Sequence, residues 1–498
     1  MICVTLGCSR HTRMIAEHKN LVEQGAKLVE LRLDYIGRAV SLNRLLRQRP
    51  GPVVVTVRRR DDGGRWTKSE DERMMLLRNA IVEGVEYVDI EADVASQIPR
   101  YGTTKRVISF HRFEDTPDNL EDLHAAMAEE DADIVKIATM ANSFSDNVRM
   151  IEMVRKAKVP TIGICMGEMG TITRILANRL GSPFTYATFS RDKKIAPGLL
   201  NWKDMNGLYD YENINDQTEL FGVIADPVAH SYSPIIHNRA FQAEKLNARY
   251  LPFRVPRDDL DQFMKCCPKL GINGISVTIP HKERALEYCT QAESSANGIG
   301  AINTMVFHDG EALGYNTDYR AAMDCIEELL EIRKEDRKSQ PMQGITAMVL
   351  GAGGVSRAIA WGLKQRHADV VITSRTEERA RVLGSELGCR VVPWEDRHNQ
   401  RVQLLINGTP VGMHPDVDRS PFNASALNQY MIVFDTVYNP ENTMLIKHAK
   451  AAQCRIITGV DMFVRQAAYQ FKLFTGKDAP TMLMRQTIKQ ATNPVKIH

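Results

Sequence analysis

The chain has 498 residues, 43% of them hydrophobic and 25% charged, with a formal net charge of +3 at pH 7. That length exceeds one hydrophobic core and suggests roughly three domains, while the charge is too mild and too evenly interleaved to favour nucleic acid or an anionic membrane, leaving small molecules as the expected partners. Nine scattered cysteines without a CxxC pair argue against a disulfide framework or a structural zinc and for a reducing compartment. No apolar run reaches membrane-spanning length, and the N-terminal MICVTLGCSRHTRMI enters a strand at once, leaving no room for a signal or transit peptide.

Up to about residue 212, β-branched runs alternate with amphipathic stretches of helical length. The runs ICVTL, LVELRLD, VVVTVR, EYVDIEAD, RVISFH, DIVKIAT, PTIGICMG and FTYATF read as eight strands. Helical spacing marks Ser69 to Glu83, Thr116 to Glu130 and Phe144 to Ala157. Eight strand-then-helix units predict a (β/α)8 TIM barrel, whose active site lies at the C-terminal ends of its strands.

The charges then fall into place. Period two puts Glu30, Arg32 and Asp34 on one face of the second strand and Leu31 and Leu33 on the other. Arg58 ends strand three, His111 ends strand five, Lys136 interrupts an apolar strand six, and Arg174 follows strand seven. An ammonium buried without a partner either reaches water along an apolar stem or loses its proton easily and becomes a nucleophile. A structural ion-pair network inside the barrel is the alternative for Glu30 and Arg32, but a histidine, a buried lysine and arginines on several strand ends are harder to explain as packing.

The segments VELRLD, VTVR with DDGG, SFH, VKIA and GTITR resemble type I 3-dehydroquinate dehydratase over essentially the whole barrel. The resemblance implies that Lys136 forms a Schiff base with the substrate ketone and that His111 is the general acid and base. It further implies that Asp62, where the family usually has glutamate, orients His111, that Arg174 holds the substrate carboxylate, and that Thr5, Glu30, Arg32 and Arg58 contact hydroxyls and carboxylate. Two residues of the family's lid are aliphatic here, Ile195 and Leu199.

Asn213 to Glu219 is polar and turn-rich and reads as a linker. Beyond it an α/β region carries HSYSP, VTIPHKE, AINT and NTD, and the apolar strand ITAMVLG leads into GAGGVSR and a helix. That context suits a dinucleotide fingerprint, with pyrophosphate on the helix N-terminus, Gly351 and Gly353 in the turn and close-approach roles, and Ser356 replacing the third glycine. The next strand ends on Arg375, 22 residues after Gly353, where a guanidinium suits a 2'-phosphate and hence NADP. For Arg375 alone, a solvated loop arginine is the commoner fate.

From about residue 220 to 490 these motifs resemble shikimate dehydrogenase. The resemblance implies Lys282 and Asp318 as the catalytic pair. It implies substrate contacts from Ser231, Ser233, Thr278, Asn303, Tyr438 and Gln466, and NADP contacts from Gly351, Ala352, Gly353, Gly354, Val355, Ser374, Arg375, Thr376, Arg379, Asn407, Thr409 and Gly459. The expected architecture is a barrel over 1–214, a substrate-binding catalytic domain over 219–325, a Rossmann NADP-binding domain over 326–455, and a C-terminal segment, 456–498, packing back toward the substrate domain. Because the first reaction's product is the second's substrate, the expectation is a bifunctional enzyme acting on 3-dehydroquinate, 3-dehydroshikimate and shikimate, without a metal. The expected location is the cytoplasm, or the plastid stroma if a transit peptide has been removed. The alternatives are a dehydrogenase half that prefers quinate and a sensor or repressor on the same folds. Retention of Lys136, His111, Lys282 and Asp318 weighs against the second.

Overall fold

The eight apolar runs of the first half become eight strands in the computed structural model, which describes residues 1–189, 198–333, 335–336 and 340–493. They are β1 (Ile2–Leu6), β2 (Leu28–Arg32), β3 (Val53–Thr56), β4 (Tyr87–Glu91), β5 (Lys105–Arg112), β6 (Ile134–Met140), β7 (Thr161–Met166) and β8 (Thr185–Thr188). They are ordered β7-β6-β5-β4-β3-β2-β1-β8, and every ladder is parallel. Among the described residues no ladder joins β7 to β8, so the barrel is near-closed. Strands covered on both faces read as nearly continuous apolar runs, which is why the polar residues inside them stand out.

The outer helices are α1 (His11–Glu23), α2 (Leu42–Leu46), α3 (Glu70–Val82), α4 (Leu120–Glu129), α5 (Phe144–Lys156), α6 (Thr171–Ile175) and α7 (Trp202–Gly207). Local chemistry sets several of their starts. Ser69 caps α3 by accepting from Glu72 N, and Ser143 and Asp146 form a capping box on α5. One unit departs from the expected strand-then-helix pattern: β4 is followed by a 3-10 helix, Ala92–Gln97, because the short connection to β5 contains Pro99 and Gly102, both helix breakers.

The second half runs β9 (Glu219–Ala225), α8 (Ser233–Ala243), β10 (Ala248–Arg254), α9 (Leu260–Leu270), β11 (Ile272–Val277), β12 (Gln291–Ala292), α10 (Ser294–Ile299), β13 (Thr304–His308), β14 (Glu311–Tyr315) and α11 (Thr317–Leu329). It continues through β15 (Thr346–Leu350), α12 (Gly354–Lys364), β16 (Asp369–Thr373), α13 (Glu377–Leu387), β17 (Arg390–Val391), β18 (Leu404–Asn407), β19 (Ile432–Asp435), α14 (Met444–Ala451), β20 (Arg455–Ile457), α15 (Gly459–Thr475) and α16 (Thr481–Thr492). Two six-stranded sheets result, ordered β10-β9-β11-β13-β14-β12 and β17-β16-β15-β18-β19-β20. The second is parallel throughout and has the doubly wound order whose reversal, between β15 and β18, opens a ligand crevice at the strand ends.

Contacts divide the chain into two units, Met1–Glu219 with Phe253–Gly271, and Leu220–Pro252 with Ile272–His498. Within the first unit Phe253 and Phe263 pack edgewise and tilted on Phe144 of α5. Within the second, Val460, Val464, Phe471 and Phe474 of α15 and Met484 and Ile488 of α16 share a core with Phe221 and Val223 of β9. Among the described residues no helix is long and apolar enough to cross a membrane.

Candidate active sites

The barrel mouth holds a pocket lined by Thr5, Glu30, Arg32, Arg58, Asp62, His111, Lys136 and Arg174, together with Phe113, Met166, Tyr186 and Leu199. The eight barrel residues singled out from the sequence are therefore neighbours; Leu199 joins them, and Ile195 lies outside the described residues. The loop that brings Asp62 in depends on two glycines. Gly63 has φ +76 and a Cβ there would lie 2.4 Å from Phe113 Cζ, while one on Gly64 would lie 2.1 Å from Arg58 O, so no larger residue lets the loop fold back on Arg58.

The lone lysine has a partner that its own strand does not reveal. Lys136 is 6% exposed, and its Nζ donates to Asp89 Oδ2 at 2.9 Å and lies 4.2 Å from the Tyr186 ring centroid. Asp89 Oδ1 accepts from Arg58 Nη2 and Ser109 Oγ, both at 2.6 Å. Arg58 Nη1 donates to Glu91 Oε1 at 2.8 Å, and Glu91 Oε2 accepts from Arg73 Nη1 at 2.5 Å. Burial alone would push the Asp89 carboxyl up, but Arg58 and Lys136 hold it well below the usual carboxylate range. Asp89 is thus a fixed anion against which the lysine is oriented.

Burial, reinforced by the Arg58 and Lys136 charges, holds the His111 imidazole well below its ordinary value. At pH 7 it is neutral and able to accept a proton. Its Nδ1 is buried without a hydrogen-bond partner among the described residues. The orienting contact expected from Asp62 is not formed at that atom: Asp62 Oδ2 accepts from Arg59 Nε at 2.8 Å, because an arginine three residues back on the same turn reaches the short carboxylate. The expected Glu30–Arg32 alternative is also replaced. Glu30 accepts from Thr5 Oγ1 and Thr56 Oγ1, each at 2.8 Å, whereas Arg32 binds Asp34 through Nε and Nη2 at 2.9 and 2.8 Å. Burial pulls the Arg174 guanidinium down to about 10.

In the second unit Lys282 Nζ donates to Asp318 Oδ2 at 2.6 Å. Asp318 lies in the first turn of α11, which Asn316 caps by accepting from Tyr319 N. Asn303 braces that turn, accepting from Thr317 N at 2.8 Å and donating to Thr317 Oγ1 at 2.9 Å, which leaves one amide N–H for a ligand. Ser233 is buried and Ser231 half-buried at the start of α8, where Ser231 Oγ accepts from Ser233 N at 3.3 Å. Thr278 is half-buried at the end of β11. Tyr438 stacks on Phe463 at 4.3 Å, and burial pushes its hydroxyl up to about 12. Gln466 is buried and its Nε2 donates to Phe463 O at 3.1 Å.

The nucleotide loop adjoins this pair. A Cβ on Gly354, the first residue of α12, would lie 3.1 Å from Lys282 Cδ. Gly351, Ala352 and Gly353 form the turn from β15, with Gly351 at φ +103, and Val355 follows in the first turn of α12, whose N-terminal N–H groups carry no side-chain cap. Ser374, Arg375, Thr376 and Arg379 lie at the end of β16 and the start of α13, and Arg375 and Arg379 are exposed without an ion pair among the described residues. Asn407 accepts from Thr409 N and Oγ1 at 3.0 and 2.6 Å and donates to Asp435 Oδ1 at 2.9 Å. A Cβ on Gly459 would lie 2.2 Å from Val437 O. An uncapped helix start, a glycine turn with open space beside Gly353 and two unpaired guanidiniums fit a dinucleotide bearing a 2'-phosphate.

Asp89, Glu91 and Tyr186 were missed from sequence, although a signal existed. VDIE places two carboxylates on one face of a buried strand just as VELRLD does, and period two runs Phe184, Tyr186 and Thr188 along one face of β8.

Comparison with known proteins divides the chain at the same place as its motifs. The family described as type I 3-dehydroquinase matches residues 2–216. The shikimate dehydrogenase substrate binding domain matches 223–305, and the shikimate 5'-dehydrogenase C-terminal domain matches 459–489. The chain is 37% identical, over 98% of its length and 84% of the relative's, to the chloroplastic bifunctional 3-dehydroquinate dehydratase/shikimate dehydrogenase of Arabidopsis thaliana. It is 34% identical to the NADP(+) shikimate dehydrogenase of Methanothermobacter thermautotrophicus over 56% of this chain and 99% of that one. Among solved structures, a shikimate dehydrogenase in complex with NADP+ aligns with a TM-score of 0.52 and 34% identity over 56% of this chain and 98% of its own. The Aquifex aeolicus shikimate dehydrogenase aligns with a TM-score of 0.51 and 32% identity over 55% and 99%.

Proposed function

The chain belongs to the bifunctional 3-dehydroquinate dehydratase/shikimate dehydrogenase family, and from that premise we propose how its own residues divide two consecutive reactions. The protein dehydrates 3-dehydroquinate to 3-dehydroshikimate and reduces this product to shikimate with NADPH. What supports the assignment of the first site is that Lys136 and His111 line one cavity with six other polar residues chosen from the sequence.

In the barrel, Lys136 Nζ adds to the substrate C3 ketone, and loss of water leaves a protonated imine. His111, neutral at pH 7, takes the C2 proton, and the electron pair moves into the imine to give an enamine. The enamine expels the C1 hydroxyl, which takes the proton from His111 and leaves as water. Hydrolysis of the remaining imine frees Lys136 and 3-dehydroshikimate. Arg174 holds the substrate carboxylate, and Thr5, Glu30, Arg32 and Arg58 meet the hydroxyls and carboxylate. Asp62 acts by neutralising Arg59 at the rim.

In the dehydrogenase, NADPH supplies a hydride to the C3 carbonyl carbon. Lys282 and Asp318 deliver a proton to the oxygen of that carbonyl. Ser231 and Ser233 hold the carboxylate at the N-terminus of α8, where the helix dipole favours an anion, and Thr278, Asn303, Tyr438 and Gln466 take the hydroxyls. The 2'-phosphate is met by Arg375 and Arg379, supported by Ser374 and Thr376. The pyrophosphate is met by residues 351–355, and the nicotinamide side by Asn407, Thr409 and Gly459. We propose the division 1–214, 219–325, 326–455 and 456–498, which the separate eight-stranded and two six-stranded sheets support, although β20 spans its last boundary and Phe253–Gly271 groups with the barrel. Nine free cysteines support a reducing compartment, the cytoplasm or plastid stroma, which imaging of a tagged chain tests.

Three measurements test the reading. Supplied with 3-dehydroquinate and NADPH, the protein should accumulate shikimate, and the reverse reaction should prefer shikimate to quinate. Borohydride added with 3-dehydroquinate should attach ligand mass to the peptide bearing Lys136. Mass on another lysine, or on none, would overturn the Schiff-base assignment.

A further inference from the structure

Helix α15 carries two buried glutamines one turn apart, and only the first, Gln466, has a part in either reaction. Gln470 is 2% exposed, on a helix whose Ala467, Phe471 and Phe474 join the core. Its Nε2 donates to Asn303 O at 3.2 Å and to Thr304 Oγ1 at 3.0 Å, while its Oε1 is buried without a hydrogen-bond partner among the described residues. Thr304 is 0% exposed, and its Oγ1 donates to Asn303 Oδ1 at 2.9 Å. Both contacts of the glutamine thus end on Asn303, the residue that braces the turn of α11 bearing Asp318.

A methionine would fill this core position without a polar atom to satisfy. The glutamine leaves its oxygen unsatisfied, so what it supplies here is a donor, and both of its N–H groups are used. An amide nitrogen only donates, so Thr304 Oγ1 accepts from Gln470 and sends its own proton to Asn303 Oδ1, which only accepts. The proton direction along this chain is therefore fixed. The two shortest bonds to Asn303 Oδ1 come from Thr317 N, at 2.8 Å, and from Thr304. With its oxygen so occupied, the Asn303 amide turns its nitrogen to Thr317 Oγ1 at 2.9 Å and presents the remaining N–H to a ligand. A threonine side chain turns among staggered positions unless it is held, and a group already ordered costs binding no further entropy.

We infer that Gln470 is a positioning residue of the dehydrogenase site: through Thr304 Oγ1 and the Asn303 carbonyl it fixes the orientation in which the Asn303 amide meets a substrate hydroxyl. This rests on the role proposed above for Asn303. Val277 N also donates to Asn303 O, at 2.8 Å, so that carbonyl is held from β11 and from α15 together, and the side chain is set from a fixed backbone.

Gln470→Met in the full chain removes both donors and keeps the length of the side chain. The shikimate KM should rise about 2- to 12-fold, as for one hydrogen bond, while kcat, the NADP KM and the dehydratase rate stay within about twofold. Made on Asn303→Ala, the same change should add less than about twofold, because it acts through that amide. Thr304→Val breaks the chain one bond nearer the asparagine and should raise the shikimate KM in the same direction, whereas Thr304→Ser, which keeps the hydroxyl, should hold it at the parent value. That pair decides the matter if the methionine variant does not fold. If Asn303→Ala raises the KM and a folded Gln470→Met does not, this inference fails alone. An increase from Gln470→Met that is as large on Asn303→Ala as on the parent chain would also overturn it. If Asn303→Ala leaves the KM unchanged, the assignment of Asn303 fails and takes the inference with it. A fall in kcat and Tm with the shikimate KM unchanged would show Gln470 to be structural only.

Discussion

Asp89 is 1% exposed and touches Lys136, Arg58 and Ser109 together. Removing one member of a buried charge group strands the others, which typically costs about 3–5 kcal/mol. Asp89→Asn should therefore lower the Tm of the barrel, abolish borohydride trapping on Lys136 and reduce dehydratase turnover by at least two orders of magnitude, while shikimate oxidation continues. Dehydratase activity and Tm both at the parent level would show that the lysine is positioned by something else. The same residue marks how far single positions can be read from sequence. Lys136 stands out because a charge in an apolar strand is a local contradiction. Its partner lies 47 residues away in the chain and becomes visible only when ladder register sets Lys136 beside Ser109 and Ser109 beside Glu91.

Elements carry the next level of constraint. α12 begins with Gly354 against the stem of Lys282, whose ammonium is tied to Asp318 at 2.6 Å. Alanine has the better helix propensity by up to about 1 kcal/mol, so Gly354→Ala should leave Tm unchanged or slightly raised. The added Cβ would nevertheless stand 3.1 Å from Lys282 Cδ, and because the lysine is held at its tip, the stem cannot yield without moving Nζ. We expect dehydrogenase kcat to fall roughly tenfold, consistent with the sensitivity of catalysis to sub-ångström misplacement, with dehydratase unaffected. Full dehydrogenase activity in a folded Gly354→Ala variant would show that the contact is slack. The elements themselves were largely legible, since strand and helix periods and the caps at Ser69 and Ser143 are local chemistry. The connection after β4 was not, because its helical length was inferred from the pattern of its neighbours and not from its own proline and glycine.

Across the whole molecule, buried histidines set the acid response. Burial lowers His18 to about 4 and His237 to about 3, and holds His111 well below 6.5. The unfolded chain takes up protons on these rings near pH 6.5 while the folded chain refuses them, so stability that is complete above that pH is lost as pH falls toward about 4. Asp435, raised to about 6 by burial, has the opposite sign over the window from 6 to 3.8, where only the folded state holds its proton. Three rings outweigh one carboxyl, and Tm should decline between pH 7 and 4.5. A flat or rising Tm would contradict this balance. The sequence by itself determined the barrel, the nucleotide loop and the residue types at the strand ends, because periodicity, glycine placement and charges in apolar runs are properties of short segments. Only the tertiary structure decided which carboxylate holds Lys136, that Asp62 faces Arg59, and that Arg32 binds Asp34 and not Glu30. Those are choices among partners distant in the chain, made by strand register and by burial, and a hydrogen bond or an ion pair depends on distance through space.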